Sequence, residues 1–190
     1  MCSNWAAYAQ ALSFSPDGKL VAAGHKGGVV LWDWKANTSR RVLDTDRVMT
    51  TAVAFSSDGK LLAATTANPL APGDATVRVW DMGANQLRSE WGGAGQSVSH
   101  LAFSPDGGRL ATGGVTSSQQ GLLKLWDTTS GREVFSAALP PAMVTAVAFS
   151  RDGRRLAAAT HAADVTAALT GRKIPGVIHV WDATRDAVRP

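Results

Sequence analysis

The feature that most limits the fold of this chain is a short pattern that occurs four times. Each copy is a small or apolar run that ends in phenylalanine, with a glycine four residues later. The copies span residues 11–23, 52–64, 101–112 and 146–158. Two copies read Ser-Pro-Asp-Gly at the turn, which places proline where φ is about −65° and glycine where φ becomes positive. Each copy therefore predicts a strand, a tight turn and a second strand.

A second marker, Trp-Asp, follows each of these hairpins. The four pairs are Trp32 and Asp33, Trp80 and Asp81, Trp126 and Asp127, and Trp181 and Asp182. Apolar residues one and three positions before each tryptophan have the period of two that is typical of a strand. Five residues after the tryptophans stand Asn37, Asn85, Gly131 and Asp186, residue types that tolerate a left-handed backbone. Short β-like runs follow, so each unit is predicted to have four strands.

Together the two markers resemble the WD-repeat β-propeller family, in which each repeat forms one four-stranded blade around a central channel. The resemblance covers residues 9–190 and implies an all-β protein with a single WD-repeat propeller segment over residues 1–190. Four blades are expected, and the last of them is incomplete. Their approximate bounds are 9–44, 50–91, 98–138 and 144–190. The eight Trp-Asp residues would then be structural signatures of the repeats.

Four blades are few for a ring, because family members usually close seven, with a terminal strand completing the blade of the other terminus. Here neither terminus completes a blade, so a partial or open ring is expected. Each open face would measure about 19 Å by 17 Å, or about 300 Å². At about 25 cal/mol per Å², leaving one face uncovered costs at most about 8 kcal/mol. Missing blades of the same chain or a second copy could complete the ring.

The spacing between markers shows where the repeats differ. The first three marker tryptophans each stand 23 residues before the phenylalanine of the next copy, whereas the four marker phenylalanines precede their own tryptophans by 18, 25, 23 and 32 residues. Length therefore varies only between the second and third strands, where loops in this family open on the rim most often used for binding. The candidate binding residues in these loops are His25, Asp74, Gln119, Gln120, His161, Asp164, Arg172 and Lys173. The alternative is that these loops are insertions that bind nothing.

The polar network of many WD repeats, which links a His, a Ser or Thr, an Asp and the Trp, is mostly missing. The Ser/Thr position holds Ala23, Ala64, Thr112 and Ala158, and only Asp74 matches the Asp position. Apolar packing should therefore hold the blades together. Trp34 and Trp91 lie outside the repeat pattern, where they could either pack on a blade or anchor a partner.

Composition and motifs argue against several classes of function. Cys2 is the only cysteine, which excludes paired-cysteine zinc sites, and no histidine has a second ligand at metal spacing, so neither a metal nor another cofactor is expected. A net charge of +4 without a basic run favours no nucleic-acid partner. No apolar run approaches about 18 residues and no signal peptide is visible, so we expect a cytoplasmic protein that does not bind membranes.

These patterns predict a non-catalytic WD-repeat scaffold or protein-interaction module, as part of a longer sensing or regulatory polypeptide with a protein partner. The alternative is a small-molecule-binding or enzymatic propeller that uses the channel mouth. The polar residues of the first strands are Gln10, Ser13, Thr51, Ser99, His100 and Thr145. They include no carboxylate, whereas acid-base catalysis needs a titratable pair within hydrogen-bond reach.

Overall fold

The computed structural model of the chain describes residues 9–67, 75–118, 120–139, 142–161 and 176–184. These residues form β-strands, turns and connections without a helix. In chain order the strands are β1 (Ala11–Phe14), β2 (Leu20–Asp33), β3 (Thr38–Phe55), β4 (Leu61–Ala67), β5 (Thr76–Asp81), β6 (Gln86–Trp91), β7 (Ser97–Phe103), β8 (Arg109–Val115), β9 (Gly121–Asp127), β10 (Glu133–Leu139), β11 (Met143–Phe149), β12 (Arg155–His161) and β13 (Val177–Asp182). A helix able to cross a membrane is therefore absent from the described ranges.

Two of these strands each supply two blade strands. A straight strand of 14 residues would separate its ends by about 45 Å. The indole Nε1 of Trp34, just after β2, nevertheless donates to the carbonyl of Gly18, just before it, at 2.8 Å. β2 therefore folds back on itself, near Gly27, where φ is 100°. β3 pairs with β2 through residues 38–44 and at Met49, and it pairs with β4 through residues 49–55, so it crosses from one blade to the next.

Antiparallel pairing in sequence order gives four blades. Blade 1 contains β1, both halves of β2 and the first part of β3, and blade 2 contains the rest of β3 with β4, β5 and β6. Blade 3 contains β7 to β10, and blade 4 contains β11, β12 and β13 among the described residues. This arrangement confirms the predicted all-β propeller with four blades, an incomplete last blade and an open ring.

The turn between the first and second strands has the same geometry in every blade. Its glycine has a φ of 67° to 70° at Gly18, Gly59, Gly107 and Gly153. In blade 2 the Ser56 hydroxyl donates to Asp58 Oδ1 at 2.7 Å and accepts the Leu61 N–H at 2.9 Å. The other three blades repeat both bonds. The Ser-x-Asp-Gly pattern thus specifies a turn whose polar groups are bonded internally.

The hydrophobic core lies between successive blades. Val29 and Leu31 of blade 1 cluster with Val53, Leu62 and Trp80 of blade 2, and equivalent residues fill the next two junctions. Each junction therefore receives the Trp-Asp tryptophan of the following blade. Those tryptophans, which are Trp80, Trp126 and Trp181, are only 4 to 6% exposed. Trp32 is half-buried, since none of the blades formed by the described residues covers this face of blade 1.

Trp126 also makes a buried hydrogen bond from its Nε1 to Thr112 Oγ1, at 3.0 Å. We expect Thr112→Val, which keeps the shape of the side chain, to lower the free energy of unfolding by about 1–3 kcal/mol, because it leaves a buried N–H without an acceptor. Urea denaturation measures the change. Thr129→Val is the matched control at an exposed position and should be nearly neutral. Equal effects of the two variants would contradict the prediction.

The turn aspartates should make stability depend on pH. The Lys60 N–H and the Ser56 hydroxyl lower the pKa of Asp58, and equivalent groups lower the pKa values of Asp17 and Asp152. When the pKa of a carboxyl group is lower in the folded state than in the unfolded state, its ionised form stabilises the fold above the ordinary carboxyl pKa of about 4. This stabilisation is lost as the pH falls through the lowered pKa. We expect Asp58→Asn to reduce the difference between urea midpoints at pH 7 and pH 3. An unchanged difference would rule out this contribution.

Candidate functional site

The strand register places the ends of the second strands, from which the variable loops leave, on one rim of the molecule. The ends of the second strands lie opposite the starts of the first strands, as in the pairs Met49 with Ala67, Ser97 with Val115, and Met143 with His161. Loops that leave second strands and connections that enter first strands therefore share one rim, which we call the loop rim. The Ser-x-Asp-Gly turns lie at the opposite end of the same strands, on the turn rim.

Three of the predicted binding residues are described, and all three lie towards the loop rim. His161 ends β12 and is exposed, and Gln120 is exposed directly before β9. His25 is half-buried in β2, with Nδ1 2.7 Å from the carbonyl oxygen of Lys26. The structure therefore distributes these three residues over blades 4, 3 and 1. The remaining five lie outside the described residues, and they are Asp74, Gln119, Asp164, Arg172 and Lys173.

The aspartates of the Trp-Asp pairs bind backbone N–H groups in the turn after the third strand. Asp81 Oδ1 accepts from Gly83 and Ala84 at 2.9 and 2.8 Å. Asp33, Asp127 and Asp182 accept equivalent backbone bonds. The left-handed residues predicted in these turns are confirmed, with φ of 52° at Asn37, 58° at Asn85 and 68° at Gly131; Asp186 lies outside the described residues. These aspartates are thus bonded to the backbone of their own turns.

Hydroxyl side chains of the first strands bond both within their own blades and across a junction, where Thr50 Oγ1 of blade 2 donates to the Gly28 carbonyl of blade 1 at 3.1 Å. The register shifts at Thr51, Ser99 and Thr145, which places one hydroxyl residue at each irregularity. Thr51 Oγ1 lies 3.0 Å from Thr65 Oγ1, and Thr145 Oγ1 donates to the Ala159 carbonyl at 3.3 Å. These hydroxyls therefore support the pairing of first and second strands.

His100 is the titratable residue of the described first strands. It is half-buried, and its Nδ1 lies 2.9 Å from the hydroxyl oxygen of Ser99. Burial lowers its pKa, against the smaller raising effect of a hydrogen bond to the Val144 backbone. The described residues contain no group of three or more His, Cys, Asp or Glu side chains that could hold a metal ion. His100 is therefore a neutral polar group at neutral pH.

A polar cleft of about 250 Å³ opens on the turn rim between blades 3 and 4. Its charged lining residues are Asp106, Arg109, Asp152 and Arg154. Arg109 Nη1 donates to the Ala183 carbonyl of blade 4 at 2.6 Å, and Asp152 accepts bonds from its own turn. The cleft therefore lies at the contact between blades 3 and 4, and most of its polar groups make hydrogen bonds that support the fold.

The two tryptophans outside the repeat pattern have different environments. Trp91 is partly buried and packs against Trp126 of the next blade, with ring centroids 5.9 Å apart. Trp34 is 43% exposed and its ring lies 5.4 Å from the Lys35 ammonium group. Trp91 is thus a packing residue between blades 2 and 3, whereas Trp34 lies at the surface.

Sequence reasoning predicted two open blade faces but did not name their residues. On blade 1 the open face exposes Leu12 and Phe14 by 68% and 65%, and on blade 4 it exposes Ile178 and Val180 by 74% and 53%. Alignment of the repeats on their markers could have identified them. The residues that align with Ile178 and Val180 in the other blades are at most 4% exposed, and they are Val29, Leu31, Val77, Val79, Leu123 and Leu125.

Comparison with known proteins gives one family and several relatives. The family described as WD domain, G-beta repeat matches residues 7–33, 39–81 and 85–127. The chain is 28% identical over 130 residues to Protein groucho of Drosophila melanogaster, covering 67% of this chain and 16% of groucho. It is 26% identical over 144 residues to WD repeat-containing protein SL1-17 of Schistosoma mansoni, covering 74% of this chain and 44% of that protein.

A solved structure supports the fold. A chain of Kuenenia stuttgartiensis hydrazine synthase matches 95% of this chain and 52% of its own length, with a TM-score of 0.75 and 19% sequence identity. At this identity the likeness concerns the fold alone. The chain thus spans less than half of each curated relative described above and about half of this structural neighbour.

The lowered pKa of His100 gives a test of its local environment. We expect its imidazole to titrate below the ordinary histidine value of about 6.5, because burial disfavours the charged ring. NMR titration of the His100 ring signals, assigned by their loss in His100→Gln, measures the midpoint. A midpoint at or above the ordinary value would mean that the ring is solvated or paired with an anion.

Proposed function

Because the chain belongs to the WD-repeat family, we propose that it is a non-catalytic scaffold that captures a protein partner through the loops of its loop rim. The observation that carries this proposal is the contrast between the two rims. All length variation falls on the loop rim, whereas the turn rim repeats the same internally bonded turn in every blade. Loops that vary on a rigid scaffold are where proteins commonly place binding residues.

The chemistry of the described residues supports a binding role over a catalytic one. The hydroxyls of Thr51 and Thr145 bond to their own blades, and the aspartates of the Trp-Asp pairs bond to backbone N–H groups. His100 lies beside Ser99 and Val144, neither of which can act as an acid or a base at neutral pH. A general acid or base pair would need a second titratable group within hydrogen-bond reach of this histidine.

The length of the relatives supports a role within a larger assembly. Groucho and SL1-17 both extend well beyond the matched region. The chain would therefore act as the sensing or regulatory part of a longer cytoplasmic polypeptide. Further blades, supplied by such a polypeptide or by a second copy, would cover the two open faces, since large apolar surfaces are stable only when buried.

The longest loop gives the sharpest test of partner capture. We expect replacement of residues 162–175 by Asp-Gly to abolish capture of the protein partner, because the replacement removes Asp164, Arg172 and Lys173. The melting temperature should hardly change, since loop residues on the rim add little to the junction cores. Immobilised chain, lysate of the source cells and mass spectrometry of the retained proteins provide the measurement.

The control for this experiment lies on the opposite rim. Lys60→Ala removes an exposed charge from the turn rim and should leave the set of captured proteins unchanged. If the shortened loop retains the same proteins as the unmodified chain, the loop rim does not bind them. If both variants lose them, the contact involves the turn rim as well.

A further inference from the structure

The four blades are of two alternating kinds. Blades 1 and 3 have proline in the turn, at Pro16 and Pro105, where blades 2 and 4 have Ser57 and Arg151. Blades 1 and 3 also have glycine in the second strand, ten residues after the marker phenylalanine, where blades 2 and 4 have a residue with a side chain. The residues at that position are Gly24, Thr65, Gly113 and Ala159 in blade order. We call blades 1 and 3 odd blades and blades 2 and 4 even blades.

Each junction from an odd blade to the following even blade uses these glycines for close packing. A Cβ at Gly24 would lie 2.6 Å from Thr50 Cγ2, and a Cβ at Gly113 would lie 2.6 Å from Val144 Cγ1. Thr50 and Val144 occupy the same position in the first strands of blades 2 and 4. The odd blade must therefore have glycine here, because the even blade's first strand approaches its backbone closely.

The turns of the odd-to-even junctions fit together in the same way. Pro16 Cδ lies 3.3 Å from where a Cβ would stand at Gly59, and Pro105 Cδ lies 3.3 Å from the same position at Gly153. The proline ring of each odd blade thus covers the turn glycine of the next even blade.

The junction from blade 2 to blade 3 is built differently. Ser57, in the place of proline, donates its hydroxyl hydrogen to the carbonyl of Pro105. Thr65, in the place of the packing glycine, lies fully buried and donates to the Val98 carbonyl at 3.4 Å. At these two positions blade 2 therefore meets blade 3 through side-chain hydrogen bonds, where each odd blade meets the next even blade through proline and glycine contacts.

The open ends of the chain match one another under this rule. Blade 1 is odd and needs an even blade before it, and blade 4 is even and needs an odd blade after it. We propose that a second copy of this chain covers both open faces, with blade 4 of each copy against blade 1 of the other, to form an eight-bladed ring. The inference rests on the proposed completion of the ring, and it selects the second copy as the completing unit.

The residues on the two faces suit this pairing. Ile178 and Val180 would pack against Leu12 and Phe14 of the other copy, as Val77 and Val79 pack with Leu101 and Phe103 in the junction between blades 2 and 3. In the turns, Arg151 occupies the position of Ser57 and can donate to the carbonyl of Pro16 as Ser57 does to that of Pro105. Ala159, in the position of Thr65, makes this junction more apolar.

The area of the two faces is sufficient for a stable dimer. With faces of about 300 Å², two such junctions bury about 1,200 Å² in total, which reaches the range of about 1,200–2,000 Å² found for stable interfaces. Completion by an odd number of blades would place two blades of the same kind together. Two even blades would set a side chain such as Thr65 where the close approach of Thr50 or Val144 requires glycine.

Light scattering after size exclusion tests the proposal on the whole chain, without any partner protein. We expect twice the mass of one chain, reduced to one chain by Ile178→Lys or by Leu12→Asp. An equimolar mixture of the two variants should recover the doubled mass, because one junction of the mixed pair is unmodified and the other places Lys opposite Asp. Val134→Lys is the matched control, because Val134 is 52% exposed on the outer strand of blade 3 and lies away from both faces.

Each other outcome would overturn the proposal. If the unmodified chain runs as a monomer, a second copy does not cover its open faces and the blades must come from another source. If it forms larger open-ended polymers, the two copies do not close a ring. A dimer that survives either Ile178→Lys or Leu12→Asp would not use the face that carries the substituted residue, and it would therefore not be the head-to-tail ring. Circular dichroism of each variant shows whether it is folded, and recovery of the dimer on mixing requires that both variants are. Since no captured partner is measured, failure here leaves the loop-rim function untouched.

Discussion

The structure depends on one repeated contact, in which the apolar third strand of each blade is covered by the tryptophan-bearing face of the next. Val77 and Val79 are fully buried only because blade 3 lies against them, and Trp126 is buried only because blade 2 does. A single blade has two apolar faces and little interior of its own. The apolar burial that stabilises the protein therefore occurs at the junctions, and every blade is necessary for the burial of its neighbours.

Because the junctions provide the stability, the two rims differ in how freely their sequences can vary. The turn rim must hold proline, glycine and the Ser-Asp hydrogen bonds in register, because neighbouring turns touch each other. The loop rim begins where the second strands end, and its loops can lengthen without disturbing a junction core. A rigid body with one adjustable rim is suited to recognition, and first-strand hydroxyls such as those of Thr51 and Thr145 are bonded to their own blades.

Much of the fold could be predicted from the sequence because its signals are local and repeated. Phe55 with Gly59 specifies a hairpin, and Trp80 with Asn85 specifies a third strand and a left-handed turn. The exposure of Ile178 could not be read from its own segment, which looks like any buried third strand; it depends on a missing neighbour. The candidate binding residues were harder still, since loop residues such as Gln120 carry no periodic signal and their role depends on a partner's surface.

The glycine contacts also bear on how such a chain can change in length. Gly24 and Gly113 fit the first strand of the blade that follows, and Thr65 does not provide the same space. Loss of a single repeat by recombination would set unlike surfaces together, whereas loss or gain of two adjacent repeats would restore the original contacts. A change in the number of repeats that keeps these glycine contacts would therefore add or remove repeats two at a time.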